Sequence, residues 1–127
     1  MRRARRSYRP STIPASGLHV DAAAMTLANE PSTVLAGLPP SMPTHFHASE
    51  PQLAPLGAAP PGSPGVPHAR LAAALRQRGY GGWVSLEMRR PEGRDPVATL
   101  ATSVARLRAW YGDPAPPSAE GRGGEPA

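Results

Sequence analysis

Three short segments each end in a side chain that can hold a metal ion or move a proton: Leu18-His19-Val20-Asp21, His45-Phe46-His47 and Trp83-Val84-Ser85-Leu86-Glu87. Strand parity sharpens the coincidence, because successive side chains of an extended chain point to opposite faces. Leu18 and Val20 then oppose His19 and Asp21, and Phe46 and Ala48 oppose His45 and His47. In the third segment Val84, Leu86 and Met88 oppose Ser85 and Glu87. Each strand has an apolar face suited to packing under a helix and a polar face bearing Asp21, His47 or Glu87. Two carboxylates and an imidazole can hold a divalent cation. Oxygen-rich sets favour manganese, magnesium or cobalt, and zinc also fits. Taken singly, Asp21 could cap the segment that follows it, and His47 could be a solvated histidine. Glu87 carries more weight, because a carboxylate within an apolar strand is costly to bury without a partner or a metal.

The elements that must position these residues follow from hydrophobic period and from proline and glycine punctuation. After the first strand, Leu18–Asp21, residues Ala22–Asn29 read as a loop and Glu30–Gly37 as a short helix with proline near its start and glycine at its end. Thr44–Ser49 is the second strand. Glu50–Pro67 is crowded with proline and glycine, so it reads as a loop, long enough to cover a site. His68–Arg78 is a helix, with Leu71, Ala74, Leu75 and Arg78 at helical spacing and Gly79 as its stop. Tyr80-Gly81-Gly82 turns into the third strand, Trp83–Met88. Asp95-Pro96 supplies an N-cap and a first-turn proline for a last helix reaching about Tyr111, with Val97, Leu100, Val104, Leu107 and Tyr111 as its expected buried stripe. Strands alternating with helices place the chain in the α/β class with a parallel sheet.

Composition narrows the function classes. The 127 residues include no cysteine, which excludes disulfide scaffolds, Cys-ligated zinc and thiol nucleophiles. No run approaches the ~20 apolar residues of a membrane span. The basic start meets Pro10 and Pro14 rather than an apolar stretch, so no secretory signal is read there. A cytoplasmic protein without a membrane partner is expected. The 13 glycines and 18 prolines concentrate outside the helices, and residues 1–16 and 113–127 read as a disordered basic leader and a disordered Pro/Gly-rich tail. The net charge of +5 resides in the leader, where Met1–Arg9 holds five of the 14 basic residues, all of them arginine. A rival function follows from that run: a basic segment binding nucleic acid or an acidic partner through Arg2–Arg9. Only Tyr8 is interleaved with those arginines to stack on a base, so nucleic acid is not the expected partner. Arg76, Arg78, Arg89, Arg90 and Arg94 read as solvated helix and loop residues, or as contacts to a substrate phosphate.

The stretches His45-Phe46-His47-Ala48-Ser49-Glu50, Pro55-Leu56-Gly57 and Arg78-Gly79-Tyr80-Gly81-Gly82-Trp83-Val84-Ser85-Leu86-Glu87 resemble the carboxyl-terminal part of the sugar phosphate isomerase/epimerase family, the xylose-isomerase-like TIM barrels. Leu18-His19-Val20-Asp21 looks like the preceding strand of that family. The resemblance spans about residues 17–112 and implies an incomplete (β/α)8 barrel, its last three βα units only. It implies metal ligation by Asp21, His47 and Glu87, with Glu87 also the catalytic acid/base. The chemistry implied is proton transfer beside the carbonyl of a small sugar or sugar phosphate. Three departures stand out. The partner glutamate of the family belongs to an earlier strand. Asp21-Ala22-Ala23-Ala24 replaces the Asp-x-x-His of ketose epimerases, and Leu53 stands where those enzymes often place an arginine. A fragment or truncated product, inactive by itself, is therefore expected.

Overall fold

A computed structural model describes residues 17–39, 41–42 and 45–112. The leader at 1–16, with its arginine run, and the tail at 113–127 lie outside the described residues. Three strands, β1 (His19–Asp21), β2 (His45–Ser49) and β3 (Trp83–Glu87), form one parallel sheet in the order β1-β2-β3. Four helices accompany them: α1 (Ala22–Leu27), α2 (Thr33–Ala36), α3 (His68–Gln77) and α4 (Pro96–Tyr111). This is a mixed α/β arrangement with a small parallel sheet.

The apolar parity of the strands is what builds the core. Phe46 and Ala48 are fully buried and Val20 nearly so, while Leu71 and Leu75 of α3, Met25 of α1 and Leu35 of α2 close over them. Val84 and Tyr111 pack at the edge of this cluster, and the Tyr111 ring lies 5.5 Å from that of Phe46. Register is continuous across the sheet. His19 pairs with His45 and His45 with Trp83, so Asp21 is level with His47 and His47 with Ser85.

Helix ends follow local chemistry. Asp21 accepts from the Ala24 amide at 2.7 Å and so caps α1, and Asp95 caps α4 through the Val97 amide at 2.9 Å. α3 ends in a Schellman motif at Gly79, whose φ is +70°. The Tyr80 amide reaches the Leu75 carbonyl at 3.0 Å and the Gly79 amide that of Arg76 at 2.9 Å. Asn29, with φ 55°, ends α1 by the same pair of bonds, from Glu30 to Met25 and from Asn29 to Thr26.

Two expectations need correction. Residues 22–29 are not all loop: an N-cap aspartate followed by alanines makes α1, and Ala22, Ala23 and Met25 are buried. The stripe on α4 is buried only in part. Val97 is 73% and Leu100 49% exposed, while Val104, Leu107 and Tyr111 are half-buried, and Ser103 is the buried residue of the helix. Helical period defines an apolar face, but burial needs a neighbour. Val97 and Leu100 in the first turns of α4 have no such cover.

Candidate metal centre

Asp21, His47 and Glu87 meet. One ligand atom from each lies within 4.8 Å of the others, and all three residues are half-buried. Metal–ligand bonds of about 2.0–2.2 Å place donor atoms at most roughly 4.4 Å apart. Only a small inward movement would let the three share an ion. The donor set, two carboxylates and one imidazole, suits a divalent cation, so the residues present fit the group.

Each side chain is held by its surroundings. Asp21 ends β1 and starts α1, and its Oδ1 accepts from the Ala24 amide at 2.7 Å and from the Ser49 hydroxyl at 2.9 Å. Both bonds fall on Oδ1, which leaves Oδ2 uncommitted. Capping and ligation are therefore compatible roles. His47 Nδ1 lies 2.7 Å from Glu87 Oε2, a diagonal contact between neighbouring strands. The His47 side chain is 22% and the Glu87 side chain 44% exposed. Glu87 thus stands at an open rim rather than under a packed sheet, which corrects the argument from burial: β3 parity puts this carboxylate on the polar face. Two further imidazoles share that face. The His19 ring centroid is 3.8 Å from that of His47, edge to face, and His45 Nε2 is 2.7 Å from Ser85 Oγ.

Ser49 is a supporting residue that spacing alone did not single out. It is fully buried, accepts from the Ala23 amide at 3.1 Å and donates to Asp21. The signal was present in parity, since Ser49 continues the His45, His47 face of β2.

A second polar cluster lies behind the sheet. Glu50 and His68 are 2% and 3% exposed, with Glu50 Oε1 2.7 Å from His68 Nε2. Oε1 also accepts from the Gly57 amide at 2.9 Å, whereas Oε2 has no hydrogen-bond partner. His68 Nδ1 meets the Tyr111 hydroxyl at 2.7 Å, and Trp110 stacks on the imidazole at 4.8 Å. Gly57 is required here: its φ is +78°, and a Cβ would sit 3.0 Å from Arg106 and 3.1 Å from Trp110. The network joins the end of β2, the 50–67 loop, α3 and α4. It is a structural clasp, with Glu50 and His68 both buried beside a small cleft of about 180 Å3 that Gly57, Val66 and Trp110 also line. Parity gave a clue in this case too: Glu50 falls on the apolar side of β2, where a carboxylate must find a buried partner.

Burial, reinforced by the Glu50 charge, pushes the Tyr111 phenol well above its usual range. The unfolded chain then loses this proton near pH 10 while the folded chain keeps it. Stability is full below that point and falls as pH rises, by about 1.4 kcal/mol per pH unit. With no lysine and no cysteine in the chain, few groups share this limb. Burial also raises Tyr80, which contributes a smaller residue. Urea unfolding between pH 9 and 12 is expected to show the decline in the wild type and a much shallower one in Tyr111→Phe. Equal slopes would remove Tyr111 from the account.

No family model, no curated protein and no solved structure matches the chain. Among the described residues no helix is long and apolar enough to cross a membrane.

Proposed function

We propose that the chain carries the metal-binding strand ends of a sugar or sugar phosphate isomerase or epimerase, as the last three βα units of such a barrel. The observation that supports this reading is the convergence of Asp21, His47 and Glu87 on one face of three neighbouring parallel strands, with Asp21 and Glu87 at their carboxyl ends, the place where barrel enzymes build their sites. In this reading Asp21 and His47 hold a divalent cation (manganese, magnesium, cobalt or zinc), and Glu87 shares it. A metal held there would supply polarisation of the sugar's carbonyl and hydroxyl oxygens. Glu87, oriented by His47 and open to solvent, removes or returns the proton on the neighbouring carbon. Ser49 fixes the rotamer of Asp21. A complete transfer between two carbons, or across one, needs a second carboxylate. No further acid joins this cluster among the described residues, and Glu50 is buried in the clasp. Turnover by the 127-residue chain alone is not expected.

Titration of the metal-free chain with Mn2+ or Co2+, followed calorimetrically and by the Co2+ absorption spectrum, tests the proposal. Asp21→Asn, His47→Gln and Glu87→Gln are each expected to weaken binding by roughly tenfold or more, equivalent to about 1.4 kcal/mol. Ser49→Ala should weaken it by about 10–100-fold through loss of ligand orientation. Affinity that is absent in the wild type, or unchanged in all four variants, would refute the reading.

A further inference from the structure

A cleft of about 250 Å3 lies between the 50–67 loop and α4, with Pro55 and Ala58 on the loop side and Thr102, Ser103 and Arg106 on the helix side. Arg94, from the loop that leads into α4, completes its lining. The two loops leave the carboxyl ends of β2 and β3, and a 2.8 Å bond from the Arg89 amide to the Leu53 carbonyl ties them together. Helical spacing puts Thr102, Ser103 and Arg106 on one side of α4. Ser103 is the buried member of this group, 1% exposed, and its hydroxyl has no hydrogen-bond partner. A helical hydroxyl can return to the carbonyl one turn back, as that of Thr99 does to Asp95 at 2.8 Å; that of Ser103 does not. Arg106 gives one N–H to the Leu56 carbonyl at 2.7 Å, which holds the guanidinium beside the loop with donors to spare. Arg94 has no side-chain partner among the described residues. No carboxylate lines the cleft. The nearest acid in sequence, Asp95, turns its Oδ1 to the Val97 amide as the cap of α4.

We infer that this cleft binds a phosphate group, with the guanidiniums of Arg94 and Arg106 and the hydroxyls of Thr102 and Ser103 as its donors. Guanidinium forks match phosphate oxygens in pairs. A water molecule would satisfy the Ser103 hydroxyl but leave both arginine charges uncompensated. The cleft is smaller than the about 300–1,000 Å3 of sites that enclose a whole small-molecule ligand. It therefore takes the phosphate and little of what is attached to it. Inorganic phosphate and a small phosphomonoester both present that group. The inference does not rest on the metal-centre reading, because Asp21, His47 and Glu87 do not line this cleft.

Titration of the metal-free full chain at constant ionic strength, followed by the 1H–15N resonances of the Thr102 and Ser103 amides and of the Arg94 and Arg106 side chains, tests this. Inorganic phosphate and glycerol phosphate are the probes, and acetate is the comparison anion. Both phosphates are expected to shift these resonances saturably and acetate is not; the tighter of the two identifies the source of the group. Signals resolved by residue separate the cleft from the arginines of 1–16. Ser103→Ala and Arg94→Gln are each expected to weaken phosphate binding by roughly tenfold, the worth of a hydrogen bond to a charged group. Arg70→Gln, which removes an exposed arginine of α3, should leave it unchanged. The urea midpoint of Ser103→Ala should equal or exceed that of the wild type, since the hydroxyl has no internal bond to lose. Shifts confined to the arginines of 1–16, an equal response to acetate, or an affinity unchanged in either variant would overturn the inference. So would a Ser103→Ala chain less stable than the wild type, which would assign the hydroxyl to the fold.

Discussion

His68→Leu is expected to destabilise the fold by about 3 kcal/mol, the upper end of the cost of leaving a buried acceptor without its hydrogen-bond partner. Glu50 is 2% exposed and its Oε2 already lacks a hydrogen-bond partner, so without the imidazole its carboxylate keeps only the Gly57 amide. Relief then requires the 50–67 loop to open and admit water, which draws on the stability of the whole. A domain of this size has roughly 0.05–0.15 kcal/mol per residue in total, so the loss is a large fraction of what holds it folded. Glu50→Gln should cost less, because the amide oxygen still accepts from Gly57. The pair Glu50→Leu/His68→Leu should cost less than the two single leucine variants added together, since neither charge nor imidazole is stranded. Urea midpoints at pH 7 measure all four. A His68→Leu loss below about 1 kcal/mol, the worth of an ordinary hydrogen bond, would show that Glu50 does not depend on its partner.

What could be read in advance divides along physical lines. Strand parity depends only on neighbours in sequence, and it placed Asp21, His47 and Glu87 on one face of a sheet whose order and register then brought them together. Gly79 and Asp95 announced helix ends for the same reason, as local backbone chemistry. α1 was legible in principle. Asp21-Ala22-Ala23-Ala24 is an N-cap before strong helix formers, but a helix of 6 residues is too short to display a helical period. The stripe on α4 shows the limit of periodicity, which identifies the apolar face and is silent about what faces it. Parity marked Glu50 as needing a buried partner, but which partner was beyond local reasoning. Glu50, His68 and Tyr111 are separated by 18 and 43 residues along the chain, and only the packing of α3 and α4 behind β2 makes them neighbours.

Phe46→Ala is the sharpest test of how the core and the candidate site depend on one another. Phe46 is fully buried in the middle strand, between His45 and His47, whose side chains lie on the opposite face. Truncation removes the ring from its contacts with the core cluster and with Tyr111, at a cost of about 3–5 kcal/mol. Because β2 pairs with both other strands, a shift of its backbone into the cavity displaces His47 relative to Asp21 and Glu87 together. Metal affinity is therefore expected to fall although no ligand has been altered. Phe46→Leu, which keeps most of the volume, should cost about 1–1.5 kcal/mol and leave affinity near wild type. His47→Gln provides the converse, because it removes a half-exposed ligand and should reduce affinity with little change in unfolding free energy. Unfolding curves and Co2+ titrations on the three variants separate the cases. Phe46→Ala that binds metal as the wild type does would mean that the site is held by the strand ends themselves, through Ser49 and the cap of α1, rather than by the core beneath them.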